Sequence, residues 1–302
     1  TIDGKFGMVR GEIDTPVIAF ETWGRLNDRA DNAVLIFTGL SPSAHAASSP
    51  TDPSTGWWED MVGPGKPIDS RGYFVVCVNS LGSCFGSTGP ASNDPNTGER
   101  YRLDFPVLCL EDIARAAQRV LASLCVENPH SVVGSSMGGM TALGLALDHA
   151  DRLDGVVISN ARADAPPEVR DAWDQRIEFV NLNGMAALAA PTVERWCSGG
   201  FHVSGSAKLD KMRAMVSSTS AIGFIGCARA LQGLDYHHRI GEINARALFI
   251  AGADDNATPA DNMRLMQAEL SGSEFVELAP AGHLSNMEQP EAYTETLRNF
   301  LG

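Results

Sequence analysis

The chain has 302 residues, of which 44% are hydrophobic and 20% are charged, a balance typical of a globular protein long enough for one large α/β core. Its formal net charge of −14 repels phosphate backbones and anionic lipid headgroups, so neither nucleic acid nor a membrane surface is expected as a partner. None of the six cysteines lies in a Cys-x-x-Cys pair or a zinc-like cluster, so no metal site is predicted.

Short apolar runs recur along the chain and predict the strands of a sheet. The first segment, 13–23, alternates in polarity and predicts part of an opening antiparallel hairpin. The later runs are continuous, which is typical of strands buried on both faces of a parallel sheet. These runs are 34–37, 73–78, 131–133, 155–158, 247–251 and 275–278.

Helical patterns lie between these runs. From Glu111 onward, apolar residues recur on one helical face, and further helices are predicted at 140–150 and 290–301. The alternation of strands and helices predicts an α/β fold with a doubly wound, mostly parallel sheet.

One segment, 164–244, has helical patterns but no clear strand run. It separates two predicted strands, so the chain must leave the sheet and return, and such insertions lie over the carboxyl edge of the sheet. We therefore predict a core of residues 1–163 and 245–302 and a helical cap of residues 164–244, inserted before the last strands. The alternative is a series of ordinary helices that cover the sheet.

A Gly-x-Ser-x-Gly motif follows the third continuous run, at Gly134-Ser135-Ser136-Met137-Gly138. It precedes a predicted helix, which is the context of a nucleophile elbow, where a sharp turn exposes the central serine. A serine hydroxyl becomes a good nucleophile only when a nearby base removes its proton. The motif therefore predicts Ser136 as a nucleophile; a plain turn is the alternative.

The base and its orienting acid are predicted at the ends of two later strands. His283 follows the last run, and the adjacent Asp254 and Asp255 follow the run before it. We prefer Asp255 as the acid, whereas Asp254 can hold the turn. The order Ser136, Asp255, His283 resembles that of the α/β-hydrolase fold, and these three residues are the predicted catalytic triad.

An acyl-transfer site also needs backbone donors for the oxyanion. The N–H of Met137 follows the nucleophile, and the N–H of Leu40 lies on the loop after an early strand. In that loop Gly39 would allow close approach of the backbone, and Thr38 and Gly39 are candidate substrate contacts. Two arginines near the cap entrance, Arg162 and Arg176, are further candidates because a guanidinium can pair with a substrate carboxylate; the alternative is that they are solvated charges.

The first half of the chain resembles the homoserine and serine O-acyltransferases, the family that includes homoserine O-acetyltransferase. The resemblance covers residues 3–145. It is carried by the stretches FETWGRLN (20–27), FTGLSPSAH (37–45), GWWEDMVGPG (56–65), NSLGSCFGSTGPAS (79–92) and SSMGGM (135–140). It implies an acyl-serine enzyme that uses acyl-CoA and an amino-acid acceptor held by a cap arginine, which the sequence does not identify.

The second half resembles 3-oxoadipate enol-lactonases. The matching stretches are DQRIE (174–178), TVERW (192–196), KMRAM (211–215), IAGADDNATPA (250–260) and AGHLSNMEQP (281–290). This resemblance implies that water resolves the acyl-enzyme.

Three functions follow from these patterns. The main prediction is hydrolysis of a small carboxylic ester or lactone through an acyl-Ser136 intermediate. The alternatives are transfer of an acetyl or succinyl group from acyl-CoA to homoserine or serine, and a binding protein without catalysis. The expected partner is accordingly a small ester, a lactone or an acyl-CoA. No nucleotide-binding fingerprint occurs, so no cofactor is predicted.

Weaker features of the sequence predict the cellular location and the oligomeric state of the protein. The first eleven residues have no signal-peptide core, and no stretch approaches the roughly 18 apolar residues of a membrane span. The sequence therefore predicts a cytoplasmic protein. A face of a cap helix could support a homodimer.

Overall fold

The main sheet positions every candidate site residue. The computed structural model describes residues 1–149, 151–204 and 206–302. Within them, seven strands form one sheet in the order β3-β5-β4-β6-β7-β8-β9, and all neighbours are parallel except the antiparallel pair β3 and β5. These strands are β3 (Phe20–Trp23), β4 (Ala33–Phe37), β5 (Phe74–Val78), β6 (Ser131–Ser135), β7 (Gly155–Ser159), β8 (Arg246–Gly252) and β9 (Glu274–Leu278). The predicted doubly wound α/β fold is confirmed.

The strands are apolar throughout because both faces of the sheet are covered. In β4, Leu35 and Phe37 join one core cluster, whereas Val34 and Ile36 join the other. Successive side chains of a strand point to opposite faces of the sheet. Because both faces are buried here, the runs in the sequence are continuously apolar.

Some helices pack on the sheet, and the others lie in the chain segment that follows β7. They are α1 (Leu110–Ser123), α2 (Met137–Asp148), α3 (Pro167–Trp196), α4 (Gly199–Ser204), α5 (Ser206–Ser218), α6 (Ala221–Gln232), α7 (Ala260–Glu269), α8 (Ser285–Glu288) and α9 (Pro290–Leu301). Short 3₁₀ helices lie at Arg102–Asp104 and His237–Glu242. The helix predicted at 140–150 begins earlier, at Met137, directly after the elbow; its predicted end, Ala150, lies outside the described residues.

The opening hairpin lies earlier than the sequence predicted. Strands β1 (Lys5–Met8) and β2 (Gly11–Asp14) form it, whereas β3 joins the edge of the main sheet. Thr15 has a φ of 43°, which interrupts the regular ladder after β2, although the N–H of Thr15 still donates to the carbonyl of Gly4 and that of Ile2 to the carbonyl of Pro16. The segment 13–23 was predicted to form part of the hairpin, and Ile13 and Asp14 are the residues of that segment that belong to β2.

Helices α3 to α6 lie between β7 and β8, in the segment predicted as a cap. Gly184 interrupts α3 with φ 76° and ψ 172°, so this helix has two halves that meet at a bend. Apolar side chains of α3, α5 and α6 pack on one another and form their own clusters. The division into core and cap stays a prediction.

Of the helices in the described ranges, no single one is long and apolar enough to cross a membrane. One pair, Ala207–Ser218 and Ala221–Gln232, meets both criteria jointly, with a bend of 93° between its members.

Candidate functional site

Ser136 lies at a sharp turn between β6 and α2. Its backbone has φ 56° and ψ −127°, a strained conformation for a residue with a side chain. The turn is possible because both flanking motif glycines lack a Cβ. A Cβ on Gly134 would overlap the carbonyl of Gly138, and a Cβ on Gly138 would overlap the carbonyl oxygen of Phe37 at the end of β4. This packing is that of a nucleophile elbow.

A Gly138→Ala variant should be destabilised by about 3 kcal/mol, because the added methyl group can be accommodated only if β4 and α2 move apart. Gly226→Ala is the matched control. Gly226 lies inside α6 with open space around its Cβ position, so alanine should stabilise the protein by up to about 1 kcal/mol. Urea unfolding of both variants measures the difference, and equal effects would contradict the overlap at Gly138.

The structure brings Ser136, His283 and Asp255 into one hydrogen-bonded chain. His283 Nε2 lies 2.9 Å from Ser136 Oγ, and His283 Nδ1 lies 2.8 Å from Asp255 Oδ2. An ionised carboxylate only accepts hydrogen bonds, so Nδ1 carries the proton and Nε2 is left to accept the proton of Ser136. This arrangement can activate the serine hydroxyl.

The two aspartates in the loop after β8 differ sharply in environment. Asp255 is 4% exposed and His283 is 2% exposed, whereas the side chain of Asp254 is exposed and its N–H donates to the carbonyl of Ala281. Only Asp255 therefore contacts His283.

Asp255 is held by five donors. Its Oδ1 accepts from the N–H groups of Ala257 and Thr258 at 2.7 and 2.9 Å. Its Oδ2 accepts from His283, from Thr258 Oγ1 at 2.8 Å and from Asn160 Nδ2 at 3.0 Å. Burial acts to raise the pKa of Asp255, but His283 and the hydrogen bonds outweigh it and hold this pKa below its ordinary value. The carboxylate is consequently ionised at neutral pH.

The loop of His283 is tied to the end of α3. The N–H of His283 donates to the carbonyl of Trp196 at 2.7 Å, and the indole ring stacks on the imidazole with centroids 6.1 Å apart. Glu288 accepts from the N–H groups of Gly282 and Ser198, each at 3.1 Å. These contacts fix the imidazole relative to the helices above the sheet.

The predicted oxyanion donors lie beside Ser136. Met137 is the first residue of α2, where an N–H has no partner within the helix, and Leu40 lines the space in front of Ser136. A Cβ on Gly39 would meet its nearest protein atoms at 3.8 Å, an ordinary contact, so packing within the protein does not require this glycine. Thr38 is buried, and its hydroxyl faces Ser80 Oγ at 3.4 Å.

Two cavities meet at Ser136 and His283. The arginine chamber has a volume of about 140 Å³ and is lined by residues of α3, among them Trp173, Arg176 and Arg195. The apolar channel has a volume of about 540 Å³ and a mostly apolar surface, to which aromatic, leucine and methionine side chains contribute; Lys208 and Lys211 of α5 also line it. Ser136 therefore lies between a small space lined by three arginines and Glu168 and a larger, mostly apolar one.

Three arginines line the arginine chamber, but only one has an acidic partner. Arg162 pairs with Asp164, with Nη2 and Oδ1 3.2 Å apart. Arg176 lies over the ring of Trp173 at 4.7 Å, and Arg195 Nε is buried without a hydrogen-bond partner. Neither forms an ion pair with any residue that the structure describes.

The pKa values of these two guanidinium groups reflect their unpaired state. Burial, together with the nearby charge of Arg195, lowers the pKa of Arg176 to about 10. Burial also lowers the pKa of Arg195, against the attraction of Asp255. Both groups remain charged at neutral pH, so the arginine chamber can bind anions.

Other cavities and metal-ligand groups were compared with this site. A cavity of about 820 Å³ between the loop before α1 and the face of α6 contains no member of the triad. In the described ranges, no cluster of three or more His, Cys, Asp or Glu side chains has the arrangement of a metal site. The triad and its two cavities thus form the candidate site.

Sequence reasoning missed Asn160, Thr258 and Arg195. Asn160 follows the carboxyl end of β7, a position shared with the triad residues, and this was a usable signal. Thr258 lies three residues after Asp255 and resembled an ordinary turn residue. Arg195 lies in the stretch 192–196 that carries the second resemblance, but sequence alone does not reveal that its Nε is buried without a hydrogen-bond partner.

Comparison with known proteins supports this fold. Residues 32–197 match the family model described as the alpha/beta hydrolase fold. A serine O-succinyltransferase of Litchfieldella anticariensis is 42% identical over 259 residues, covering 85% of this chain and 64% of that protein. An L-serine/homoserine O-acetyltransferase of Streptomyces lavendulae is 62% identical over 134 residues, covering 44% of this chain and 36% of that protein. The chain thus spans less than two thirds of the length of these relatives.

Solved structures share the fold. The homoserine O-acetyltransferase of Bacillus anthracis superposes with a TM-score of 0.85 at 22% identity, covering 99% of this chain and 95% of that one. The enol-lactonase of Burkholderia xenovorans LB400 superposes with a TM-score of 0.76 at 23% identity, covering 96% and 98%. The resemblances predicted from the two halves of the sequence are thereby confirmed, the structural ones at the level of fold.

Proposed function

This chain belongs to the α/β-hydrolase fold family, and on that premise we propose that it transfers an acyl group from acyl-CoA to the side-chain hydroxyl of serine or homoserine. The observation that carries this proposal is the pair Arg176 and Arg195, which are partly buried, have no acidic partner among the described residues and line the same cavity as Ser136. A free amino-acid acceptor brings a carboxylate that such guanidinium groups bind well. A neutral ester gives them no partner.

The first half-reaction acylates Ser136. His283 removes the proton of Ser136 as Oγ attacks the thioester carbonyl, and the N–H groups of Leu40 and Met137 stabilise the oxyanion. The carbon–sulfur bond breaks, His283 gives its proton to the leaving thiolate, and free CoA departs. Asp255 stabilises the imidazolium throughout this step.

The second half-reaction repeats the chemistry with the acceptor. His283 takes the proton of the acceptor hydroxyl as that oxygen attacks the acyl carbonyl. The ester to Ser136 breaks, and the proton returns to Ser136 Oγ. Water competes at this step, and an acceptor that fills the arginine chamber excludes it.

The presence of two unpaired guanidinium groups favours a succinyl donor over an acetyl donor. One can pair with the carboxylate of the acceptor and the other with a carboxylate at the end of the acyl group. The names of the two relatives, a succinyltransferase and an acetyltransferase, include both possibilities.

Hydrolysis was the main prediction from sequence because the lactonase-like second half offers less obvious machinery for binding an acceptor, whereas the relatives named as serine O-succinyltransferase and O-acetyltransferase support the transferase alternative. Hydrolysis itself is not confirmed. If the protein only bound a ligand, the hydrogen bonds that join Ser136, His283 and Asp255 would have no catalytic role. No observation favours this alternative.

The test compares acceptors and donors in one assay. Purified protein is given succinyl-CoA or acetyl-CoA with L-serine or L-homoserine, and free CoA and O-acyl product are measured; a nitrophenyl acetate assay runs in parallel. We expect O-acyl product, formed faster from succinyl-CoA. Rapid ester hydrolysis without O-acyl product would instead establish a hydrolase, and no turnover in either assay would favour the binding protein.

An Arg195→Met variant should raise the KM for L-serine by roughly 10- to 100-fold, because a charge-assisted hydrogen bond contributes about 1.5–3 kcal/mol. The comparison substrate is ethanolamine, which lacks the carboxylate, so the KM for ethanolamine should change little in this variant. Arg213→Met is the matched control, since Arg213 is a partly exposed arginine paired with Asp210. An equal loss with both substrates would show that Arg195 does not bind a carboxylate.

A further inference from the structure

The bend in α3 creates a groove on the outside of the arginine chamber. This bend groove has a volume of about 290 Å³ and is lined by residues from both halves of α3, including Gln175 and Phe179 before Gly184 and Pro191 after it. It is an open depression, distinct from the apolar channel, with which it shares no lining residue.

The bend groove and the arginine chamber share one wall. Ala172, Arg176, Leu188, Thr192 and Arg195 line both spaces. A single layer of side chains therefore separates the groove from the chamber that contains Ser136, and two of the five are the unpaired arginines.

The charge of this wall suits a small anion. Among the described residues that line the bend groove, two are cationic and none is acidic. The chain as a whole is acidic, with a net charge of −14, so a groove lined by two arginines and no carboxylate is opposite in sign to the overall charge. A concave site of one sign raises the local concentration of oppositely charged ligands.

The position of Gly184 allows the wall to open. Arg176 lies in the half of α3 before the bend, and Arg195 lies in the half after it. The φ of 76° at Gly184 is a conformation that favours glycine, and no atom lies within 4 Å of its Cβ position. A small change of the bend angle therefore separates the two guanidinium groups without a clash at Gly184.

We propose that the bend groove is the entrance for the carboxylate-bearing acceptor, and that the acyl-CoA donor enters separately through the apolar channel. This inference rests on the proposed acyltransferase function. The channel, at about 540 Å³, has the size of an ordinary ligand site, whereas the arginine chamber suits only a small molecule. With separate entrances, bound acceptor does not block the channel through which the next acyl-CoA enters.

Separate entrances have a kinetic consequence. When both substrates of a ping-pong enzyme use one entrance, a high concentration of acceptor blocks the donor and lowers the apparent kcat/KM for the donor. Here, L-serine at many times its own KM should leave the apparent kcat/KM for the acyl-CoA unchanged.

The structural test narrows the bend groove from outside. Gln175 lines the groove but not the chamber, so Gln175→Trp should raise the KM for L-serine at least about tenfold by slowing its entry. The burst of CoA released from acyl-CoA without acceptor should keep its wild-type rate and amplitude. Glu178→Trp is the matched control, because Glu178 is an exposed residue of the same helix that does not line the groove.

The burst also reports folding of the variant. If Gln175→Trp loses its burst, Pro191→Trp narrows the groove from the opposite half of α3 and replaces it in the test. If the wild-type protein forms O-acyl product but the narrowed variant keeps the wild-type KM for L-serine, the separate entrance is wrong and the proposed function still stands. Absence of O-acyl product from the wild-type protein would overturn the proposed function, and this inference with it.

Discussion

The Ser136→Ala variant should lose at least about 10⁴-fold in kcat while it unfolds at the same temperature as the wild-type protein. The side chain of Ser136 makes one contact that the structure describes, the hydrogen bond to His283 Nε2, so its loss removes the nucleophile without opening the core. Alanine and serine tolerate the backbone conformation at φ 56° similarly. Turnover of acyl-CoA and thermal unfolding measure the two effects separately.

Ser135→Ala is the natural comparison, because the motif contains two adjacent serines and only Ser136 contacts His283. We expect Ser135→Ala to keep most of its turnover. Incubation of the wild-type protein with succinyl-CoA and no acceptor should also add one succinyl group to the peptide that contains Ser136, measured by mass spectrometry. Full activity of Ser136→Ala, or a label on another peptide, would remove Ser136 as the nucleophile.

The triad could be predicted because each member depends on local sequence. In a parallel sheet all strands end at one edge, so residues that follow β6, β8 and β9 must come together there. Ser136, Asp255 and His283 each follow such a strand end. The choice between Asp255 and Asp254 was harder, since it depends on which side chain the turn directs inward.

The arginine chamber could not be predicted in the same way. Arg176 and Arg195 are nineteen positions apart in one helical pattern, and a straight helix of that length would hold them more than 25 Å apart, by a rise of about 1.5 Å per residue. They line one chamber because Gly184 bends α3 between them. A glycine inside a helical pattern is tolerated often enough that this bend is not evident from the sequence.

The early strands show a similar limit. An alternating pattern over 13–23 does not reveal whether its strands pair with each other or with distant partners. Phe20–Trp23 pairs with β5, more than fifty residues later, and such long-range pairing has no local signal.

The Asp255→Asn variant should lose about 10⁴-fold in kcat although asparagine has almost the same shape as aspartate. The N–H groups of Ala257 and Thr258 both donate to Oδ1, so this position must stay an oxygen and the new amide NH₂ must take the place of Oδ2. There it faces His283 Nδ1 as a donor. The imidazole must then accept at Nδ1 and carry its proton on Nε2, where it cannot take the proton of Ser136.

Asp254→Asn is the control for this prediction, since it makes the same chemical change one residue away. Asp254 has an exposed side chain, and its contact in the loop is made by its backbone N–H, which the substitution keeps. We expect its kcat to stay near the wild-type value. If Asp254→Asn lost more activity than Asp255→Asn, the orienting acid would be Asp254, and the contact between Asp255 and His283 would be structural. The ranking of the two variants therefore decides which carboxylate sets the tautomer of His283.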